Sequence, residues 1–362
     1  MKKEETNEKF SFADILRLRD ELSSVVSQRN NEYVYTRVSK DDEIPEGWEL
    51  DKELQSGKKI KRQKEKWKRF EDRLWLMLNA FEFEELNNDY EPEVILSAKQ
   101  QTKKRFDVIA KSDEFVFFIE CKSNTSQGSR PNIRETIIDL NDSRKYLKKL
   151  VQEYYDDDFL EPVMILALEN ISVSDQDFDE AGRKGIKIWD VSTISYLEQL
   201  ADLTKRIGVA ARYQLYAMMF RDKKHQQSVK VPAIKCDAGK VAYYSFMATP
   251  EQLLRIAYVH RRGSNVKDAN KVVLTYQRMV EPAKLKAIHK YINDQIMPFP
   301  NSVIINFDEK VVFSQAADRK DINNGTLQLP RNYGAAWVID GQHRLFGYAT
   351  SERRKKDLFI LT

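Results

Sequence analysis

Residues 115–123 read FVFFIECKS, and this stretch decides the fold class. Five consecutive large apolar residues predict a strand that is buried on both faces, as in the centre of an α/β sheet. Because side chains alternate along a strand, Glu120 and Lys122 would share one face at its end. Charged groups in an apolar strand are costly unless they are paired or bind an ion. The stretch therefore predicts a central strand that brings a charged pair to the edge of a sheet.

A second acidic residue, Asp107, interrupts the preceding apolar run RFDVIA. If the two runs are neighbouring antiparallel strands joined by a turn at 111–114, Asp107 would lie near Glu120. Two carboxylates and a lysine that converge at a sheet end suit a divalent cation and a polarised water. The alternative is structural: Asp107 ends a strand, and Glu120 and Lys122 form an exposed pair at the edge.

The surrounding sequence predicts the order helix, three strands, helix, strand, helix, strand, helix, which is an α/β domain. In chain order these elements are 67–87, 93–97, 106–110, 115–121, 134–155, 162–168, 175–183, 186–189 and 192–204, the last with Ser192 as its N-cap. A further helix is predicted over 10–29, and the polar residues 39–65 are expected to be a loop or linker. The basic run KKIKRQKEKWKR at 58–69 is either a solvated helix start or a patch that contacts phosphates.

This spacing and this order of elements resemble the PD-(D/E)XK nuclease superfamily. Asp107 resembles the family's first acid, and Glu120-Cys121-Lys122 resembles its ExK half. Glu71, in the predicted helix KRFEDRLWLML, resembles the additional acid of restriction-enzyme-like members. One departure is a phenylalanine in place of the proline of the family name.

The resemblance implies a role for each of these residues. Asp107 and Glu120 would hold Mg²⁺ or Mn²⁺, and Lys122 would orient or activate the attacking water. Glu71 would position a second metal or a water. The implied activity is that of a metal-dependent phosphodiesterase that cleaves DNA.

A second motif is AWVIDGQHRLFGYA at residues 336–349. An apolar strand meets the turn signal Asp340-Gly341, after which Gln342, His343 and Arg344 open an amphipathic helix. Backbone N–H groups at a helix start favour an anion, a glycine permits close approach, and an arginine can add a bidentate contact. Asp340 could hold a metal or accept a proton. The alternative is a polar turn that caps a helix, with His343 exposed or bonded to a backbone carbonyl.

This string resembles the DGQHR-domain family, which includes a regulator of DNA phosphorothioation gene clusters and is similar to the ParB/sulfiredoxin-like α+β fold. The match covers about residues 228–362 and extends to these companion segments: Val231-Pro232-Ala233, Tyr276-Gln277-Arg278 and Phe299-Pro300-Asn301-Ser302. The resemblance implies contacts to nucleotide phosphate, and to a nucleoside triphosphate if one binds, from Asp340, Gly341, Gln342, His343 and Arg344, with Tyr276, Gln277 and Arg278 nearby. Since family members usually continue further, we expect this domain to be C-terminally incomplete.

Composition limits the class of protein. With 362 residues, 41% apolar and 32% charged, the chain is expected to form two soluble domains. It has no run of about 18 apolar residues that would predict a transmembrane helix, and no apolar segment follows the basic N-terminus. Its two cysteines, Cys121 and Cys236, favour a reducing compartment, so we expect the cytoplasm and no membrane partner. The net charge of +4 permits nucleic acid as a partner without specifying it.

The predicted organisation has four parts: an N-terminal helix and basic linker at 1–65, a PD-(D/E)XK nuclease-like α/β domain at 66–205, a helical connector at 206–227 and an α+β DGQHR domain at 228–362. We expect a bacterial protein of DNA modification or phage defence, with DNA as its partner and other defence proteins or a nucleotide as further ones. One hypothesis is a Mg²⁺-dependent nuclease gated by the second domain. The others are a DNA-binding regulator with an inactive nuclease fold and a nucleotide hydrolase. The oligomeric state is open.

Overall fold

A computed structural model describes residues 12–97, 102–124, 132–204, 208–221, 223–225, 228–258, 281–294, 299, 301–316 and 323–362. The chain divides into two compact units, Met1–Ile194 (unit 1) and Ser195–Thr362 (unit 2). Both contain helices and strands, so the predicted mixed α/β class is confirmed. Among the described residues, no helix is both long enough and apolar enough to cross a bilayer.

Unit 1 combines helices and strands throughout its described residues. Its helices are α1 Phe12–Ile15, α2 Ser23–Asn30, α3 Lys66–Ala80, α4 Arg134–Tyr155, α5 Asp175–Arg183 and α6 Val191–Thr204, the last of which runs into unit 2. Its strands are β1 Leu16–Leu18, β2 Tyr33–Val38, β3 Glu49–Leu54, β4 Gly57–Gln63, β5 Glu85–Asn87, β6 Glu93–Ser97, β7 Thr102–Arg105, β8 Val108–Lys111, β9 Phe115–Ser123, β10 Glu161–Glu169 and β11 Lys187–Trp189.

The central sheet of unit 1 has the strand order β1-β5-β8-β9-β10-β11 in the described part of the chain. Strand β9 is parallel to β10 and antiparallel to β8, and its first five residues are buried while the last four are half-buried. FVFFI therefore forms the predicted central strand. On one face of the sheet, Val116 and Phe118 belong to the same apolar cluster as Ile137 and Leu140 of α4.

Strands β3 and β4 stand where the sequence predicted a loop at 39–65, and with β2 they form a three-stranded antiparallel sheet in the order β2-β4-β3. That prediction was wrong because the strands carry charged side chains and lack an apolar periodicity. The predicted helix at 10–29 was also wrong, since β1 and a 3₁₀ turn, Arg19–Glu21, separate α1 from α2.

The other boundaries follow the sequence more closely. Helices α4 and α5 have the predicted bounds, 134–155 and 175–183. The strand expected at 106–110 begins only at Val108, and 93–97 pairs with β7 in a separate hairpin rather than in the central sheet. Helix α6 begins before Ser192, because the Oδ1 atom of Asp190 accepts from the backbone N–H of Thr193 at 2.8 Å.

Unit 2 contains the second motif. Its remaining helices are α7 Val209–Met219, α8 Pro250–Ile256, α9 Pro282–Asp294 and α10 Gln342–Tyr348. Its strands are β12 Lys230–Ala238, β13 Val241–Ala248, β14 Ala257–Tyr258, β15 Ile304–Phe307, β16 Val312–Gln315, β17 Asn324–Gln328, β18 Ala336–Asp340 and β19 Phe359–Leu361. They form a five-stranded sheet, β16-β17-β12-β13-β19, and a three-stranded sheet, β14-β18-β15. The strand, turn and helix predicted around DGQHR are therefore present.

Candidate functional site

The end of β9 carries the charged pair that the alternation of side chains predicts. The Nζ atom of Lys122 donates to Oε1 of Glu120 at 2.7 Å, and the two side chains are 44% and 19% exposed. The pair therefore lies at the surface of the sheet end, where a ligand can reach both groups.

Asp107 lies between β7 and β8, directly beside this pair. Its backbone N–H donates to the carbonyl of Ile119 at 3.0 Å, which continues the β8–β9 ladder by one bond. Its Oδ2 atom accepts from the backbone N–H of Cys121 at 2.5 Å. Cys121 separates Glu120 from Lys122 in sequence, so the Asp107 carboxylate is fixed to the segment that carries the pair.

Glu71 reaches the same region from α3. The residue is 4% exposed, and its Oε2 atom is buried with no hydrogen-bond partner. Burial, together with the charges of Asp107 and Glu91, raises the pKa of Glu71 to about 8. An unpartnered buried carboxylate oxygen is costly, and a bound cation or a proton would relieve that cost.

The pKa values of Asp107, Lys122 and Cys121 are also shifted. Burial raises the pKa of Asp107 to about 6; the bond from Cys121 opposes this shift, whereas the Glu120 charge adds to it. Partial burial lowers the pKa of Lys122, but the hydrogen bond and charge of Glu120 raise it by more, so it lies above its ordinary value. Burial raises the pKa of the Cys121 thiol well above its usual range, so a reactive thiolate is disfavoured.

These side chains fit a hard divalent cation by chemistry. They offer carboxylate oxygens, which Mg²⁺ prefers, and negative charges that repel one another without a counter-ion. Nevertheless, within the described ranges no group of three or more His, Cys, Asp or Glu side chains is arranged to hold a metal ion. In this structure Glu120 is turned toward Lys122 and Asp107 toward a backbone N–H, so binding would require these two carboxylates to exchange partners.

Sequence reasoning missed one acidic residue of this region, Glu91. It is exposed, its φ of 49° is unusual for a residue with a side chain, and its charge raises the pKa of both Glu71 and Asp107. The signal available was the acidic run around Glu91-Pro92, which has no periodicity and is therefore easily read as a loop.

Sequence reasoning also missed a buried ionic cluster beneath α3. Asp72 accepts from Arg29 at 3.1 Å and from Lys64 at 2.6 Å, and all three side chains are at most 4% exposed. The Arg29 guanidinium also stacks on Trp75 and Tyr90, 4.9 and 4.2 Å from the ring centres. Lys64 of the basic run is therefore a structural residue that fixes α3, and the run does not act as one solvated patch.

In the second motif, the turn requires its glycine. Gly341 has φ +93°, and a Cβ atom there would lie 2.9 Å from Cγ2 of Val303 and 3.1 Å from an Arg344 nitrogen. The turn joins β18 to α10, as the sequence predicted. Gly341 thus allows β18 and the segment before β15 to approach closely.

Arg344 holds the motif together. Its guanidinium donates to Oδ2 of Asp340 at 2.9 Å and to the carbonyls of Asn301 and Ser302, both at 2.9 Å. The side chain is 16% exposed, whereas that of Asp340 is 67% exposed. Arg344 therefore links the end of β18 to the segment before β15 through hydrogen bonds, whereas the Asp340 side chain is open to solvent.

The next residue of the motif, His343, accepts at Nε2 from the backbone N–H of Glu281 at 3.0 Å. Burial and the Lys284 charge lower the pKa of His343, which keeps the ring neutral and able to accept. Gln342 is half-buried at the first position of α10. The predicted site residues Tyr276, Gln277 and Arg278 lie outside the described residues.

Residues 231–357 match the DndB family, which is described as DNA-sulfur modification-associated. The match supports a DNA-modification-associated protein, and it includes the whole DGQHR string.

No curated protein matches the sequence. Among solved structures, the crystal structure of protein VC1899 from Vibrio cholerae is 15% identical, with a TM-score of 0.25. The alignment covers 40% of this chain and 38% of that chain. It thus spans well under two thirds of that protein, and a likeness of this size carries no argument.

Proposed function

We propose that unit 1 is a metal-dependent DNA phosphodiesterase whose site comprises Asp107, Glu120, Lys122 and Glu71. The observation that carries the proposal is the bond from the Cys121 N–H to Asp107, because it joins one carboxylate to the strand end that bears Glu120 and Lys122. Phosphodiester hydrolysis needs anionic groups for a cation and a cationic group for the developing negative charge.

Asp107 and Glu120, the proposed ligands, would hold Mg²⁺ or Mn²⁺. Such a cation supplies Lewis-acid polarisation of the phosphate and charge neutralisation. Lys122 is 44% exposed and fully charged near neutral pH, so it can contact a phosphate oxygen or orient a water once Glu120 releases it. The ion pair with Glu120 holds the lysine ready until substrate and metal bind.

Glu71 is proposed to position a water or a second cation. With a pKa of about 8, its carboxyl group is mostly protonated near neutral pH, whereas Asp107, with a pKa of about 6, is mostly ionised. Two neighbouring carboxyl groups with different protonation states can accept and donate a proton in the same site.

For unit 2 we propose a role linked to sulfur-modified DNA, supported by the family description that matches residues 231–357. The nucleotide-phosphate contacts expected from Asp340, Gly341, Gln342, His343 and Arg344, with Tyr276, Gln277 and Arg278, remain part of this proposal. Because Arg344 is bound to two carbonyls and Asp340, a phosphate would first meet exposed Asp340, which disfavours an anion there. Nucleotide hydrolysis in unit 2 is therefore the less supported activity.

A second candidate is a DNA-binding regulator whose nuclease-like unit does not cut. It is favoured by the closed Glu120–Lys122 pair and by the lack of a three-ligand metal cluster in the described ranges. Both candidates predict that the protein binds DNA, but only the nuclease predicts that it cleaves DNA.

The experiment that separates them is plasmid cleavage in Mg²⁺ or Mn²⁺ by the full chain and by Asp107→Asn, Glu120→Gln and Lys122→Ala. A nuclease predicts nicking by the wild type and loss of nicking in all three variants. Lys103→Gln, which breaks only an exposed ion pair with Glu93, is the matched control and should cut normally. DNA binding without nicking under every metal condition would favour the regulator and remove the nuclease proposal.

A further inference from the structure

The three-stranded sheet of unit 1 has two chemically different faces. The register pairs Tyr35 with Lys61 and Arg37 with Lys59, and it pairs Lys52 with Lys59 from the other side. Directly paired residues share a face, and side chains alternate along each strand. One face therefore carries Tyr33, Tyr35, Arg37, Lys52, Lys59 and Lys61, which we call the tyrosine–lysine face.

The cations of this face are crowded in an unusual way. Arg37, Lys59 and Lys52 are directly opposite one another on β2, β4 and β3, so three positive charges form a row across the sheet. Like charges directly opposite in a sheet are destabilising. The Nζ atom of Lys59 forms an ion pair with Oδ2 of Asp51 at 3.0 Å. Among the described residues, no carboxylate lies within 4.0 Å of the charged groups of Arg37 and Lys52. A bound anion would relieve this repulsion.

The tyrosine rings support the lysines. The Nζ atom of Lys59 lies 4.0 Å from the ring centre of Tyr35, and that of Lys61 lies 4.9 Å from the ring centre of Tyr33. Cation–π contacts of this kind hold the ammonium groups in place without neutralising them. Each lysine occupies one face of its ring, and Tyr35 stays 38% exposed.

The opposite face has another character. Ile60 is fully buried, and Lys58 is directly opposite Glu53, so a cation there meets a carboxylate across the strands. Arg62 is exposed and lies 5.2 Å from the ring centre of Trp48. The tyrosine–lysine face carries four cations and two carboxylates, Glu49 and Asp51, whereas the opposite face carries Lys58, Arg62 and Glu53, so the excess of positive charge is larger on the tyrosine–lysine face.

We propose that the tyrosine–lysine face binds the phosphate backbone of duplex DNA. Charge complementarity argues for a polyanion, and a duplex presents the highest density of phosphates. Single-strand binding relies on open aromatic faces, whereas Tyr33 and Tyr35 each have one ring face occupied by a lysine. The inference deepens the proposed function, because it names the surface by which unit 1 would hold the DNA that it cuts.

The test measures binding of the full chain to a short fluorescent duplex by anisotropy, in EDTA so that cleavage cannot contribute. Lys61→Gln and Arg37→Gln each remove one cation from the face and should weaken binding at low salt. Each should lower the slope of log K against log salt by about 1, and the double variant by about 2. Arg62→Gln removes the same charge from the opposite face of the same strand and should leave the slope unchanged.

A variant that is expected to bind more tightly distinguishes a true change in affinity from loss of binding through misfolding. Glu49→Gln removes a carboxylate from the tyrosine–lysine face, where it is directly opposite Lys61, and should tighten duplex binding. The proposal is overturned if the wild type does not bind duplex DNA, if it prefers a single strand, or if Lys61→Gln and Arg62→Gln lose the same affinity. Binding is measured without metal and cleavage is measured with metal, so the two proposals can fail independently. Plasmid cleavage without the expected binding effects would contradict only the role of the face, and binding without cleavage would contradict only the nuclease proposal.

Discussion

Glu71 is a buried carboxyl group whose Oε2 atom has no hydrogen-bond partner. Its burial and the neighbouring charges raise its pKa to about 8. Its ordinary pKa is 4.5, so the folded protein keeps a proton between about pH 4.5 and pH 8 that the unfolded chain releases. Stability attributable to Glu71 therefore falls as the pH rises through this window. Asp107, raised from 3.8 to about 6, has the same sign over a lower window.

We expect Glu71→Gln to be more stable than the wild type above pH 8 and equally stable below pH 4.5, in EDTA. The expected gain is on the order of a few kcal/mol, since one pKa unit corresponds to about 1.4 kcal/mol. Urea unfolding at a series of pH values measures the free energy of unfolding. If the free energies of unfolding of the two proteins changed in parallel with pH, ionising Glu71 would not destabilise the fold, and the prediction would be wrong.

At the scale of elements, α3 fixes the position of Glu71, and a buried ionic cluster fixes α3. Arg29 comes from α2 and Lys64 from the segment before α3, and both bind Asp72, the residue after Glu71. Because both cations are buried, they depend on the Asp72 carboxylate for charge compensation. The cluster thus connects the early chain to the helix that supplies a site residue.

We expect Asp72→Asn to lower the free energy of unfolding by about 3–5 kcal/mol, because it leaves two buried cations without a full negative charge. Lys103→Gln breaks an exposed pair, 51% and 38% exposed, and should cost about 0–1 kcal/mol. Chemical denaturation of both variants checks the contrast. A cost for Asp72→Asn no larger than for Lys103→Gln would contradict the structural role of the cluster.

The turn of the second motif makes a separate prediction. Gly341→Ala combines a positive φ with a contact at 2.9 Å to Val303 and should cost about 1–3 kcal/mol. Gly239→Ala also has a positive φ, +64°, but a Cβ atom there meets nothing within 4 Å, so its cost should be about 1 kcal/mol. Thermal unfolding of the two variants compares strain alone with strain plus contact. Equal shifts would show that the segment before β15 yields to the added methyl group.

Much of the fold could be predicted, since amphipathic periods define α4 and α5 and an apolar run defines β9. The β2-β4-β3 sheet could not, because five of the six residues of β3 are exposed and four of the seven residues of β4 are basic. Lysine and glutamate have low strand propensity, and cross-strand contacts override it. For the site, spacing pointed to Asp107, Glu120 and Lys122, whereas the burial that raises the Glu71 pKa depends on how α3 packs.

At the scale of the whole molecule, the chain joins a carboxylate–lysine site in unit 1 to a region of unit 2 that matches a DNA-sulfur modification-associated family. If unit 2 senses modified DNA, cleavage by unit 1 should depend on modification. We expect different nicking rates for sulfur-modified and unmodified plasmids of the same sequence, measured with the full chain in Mg²⁺. Equal rates on both would contradict a sensing role while leaving the nuclease proposal untouched.

The most direct measurement is a calorimetric titration of the full chain with Mg²⁺ near neutral pH, repeated in buffers of different ionisation enthalpy. Binding of the cation by Asp107 and Glu120 should release protons, because the nearby Glu71 carboxyl is mostly protonated beforehand and a bound cation lowers its pKa. Asp107→Asn, which keeps an oxygen to accept from Cys121, should abolish this binding without unfolding the protein. Absence of binding by the wild type, or equal binding by Asp107→Asn, would contradict a cation site at the end of β9.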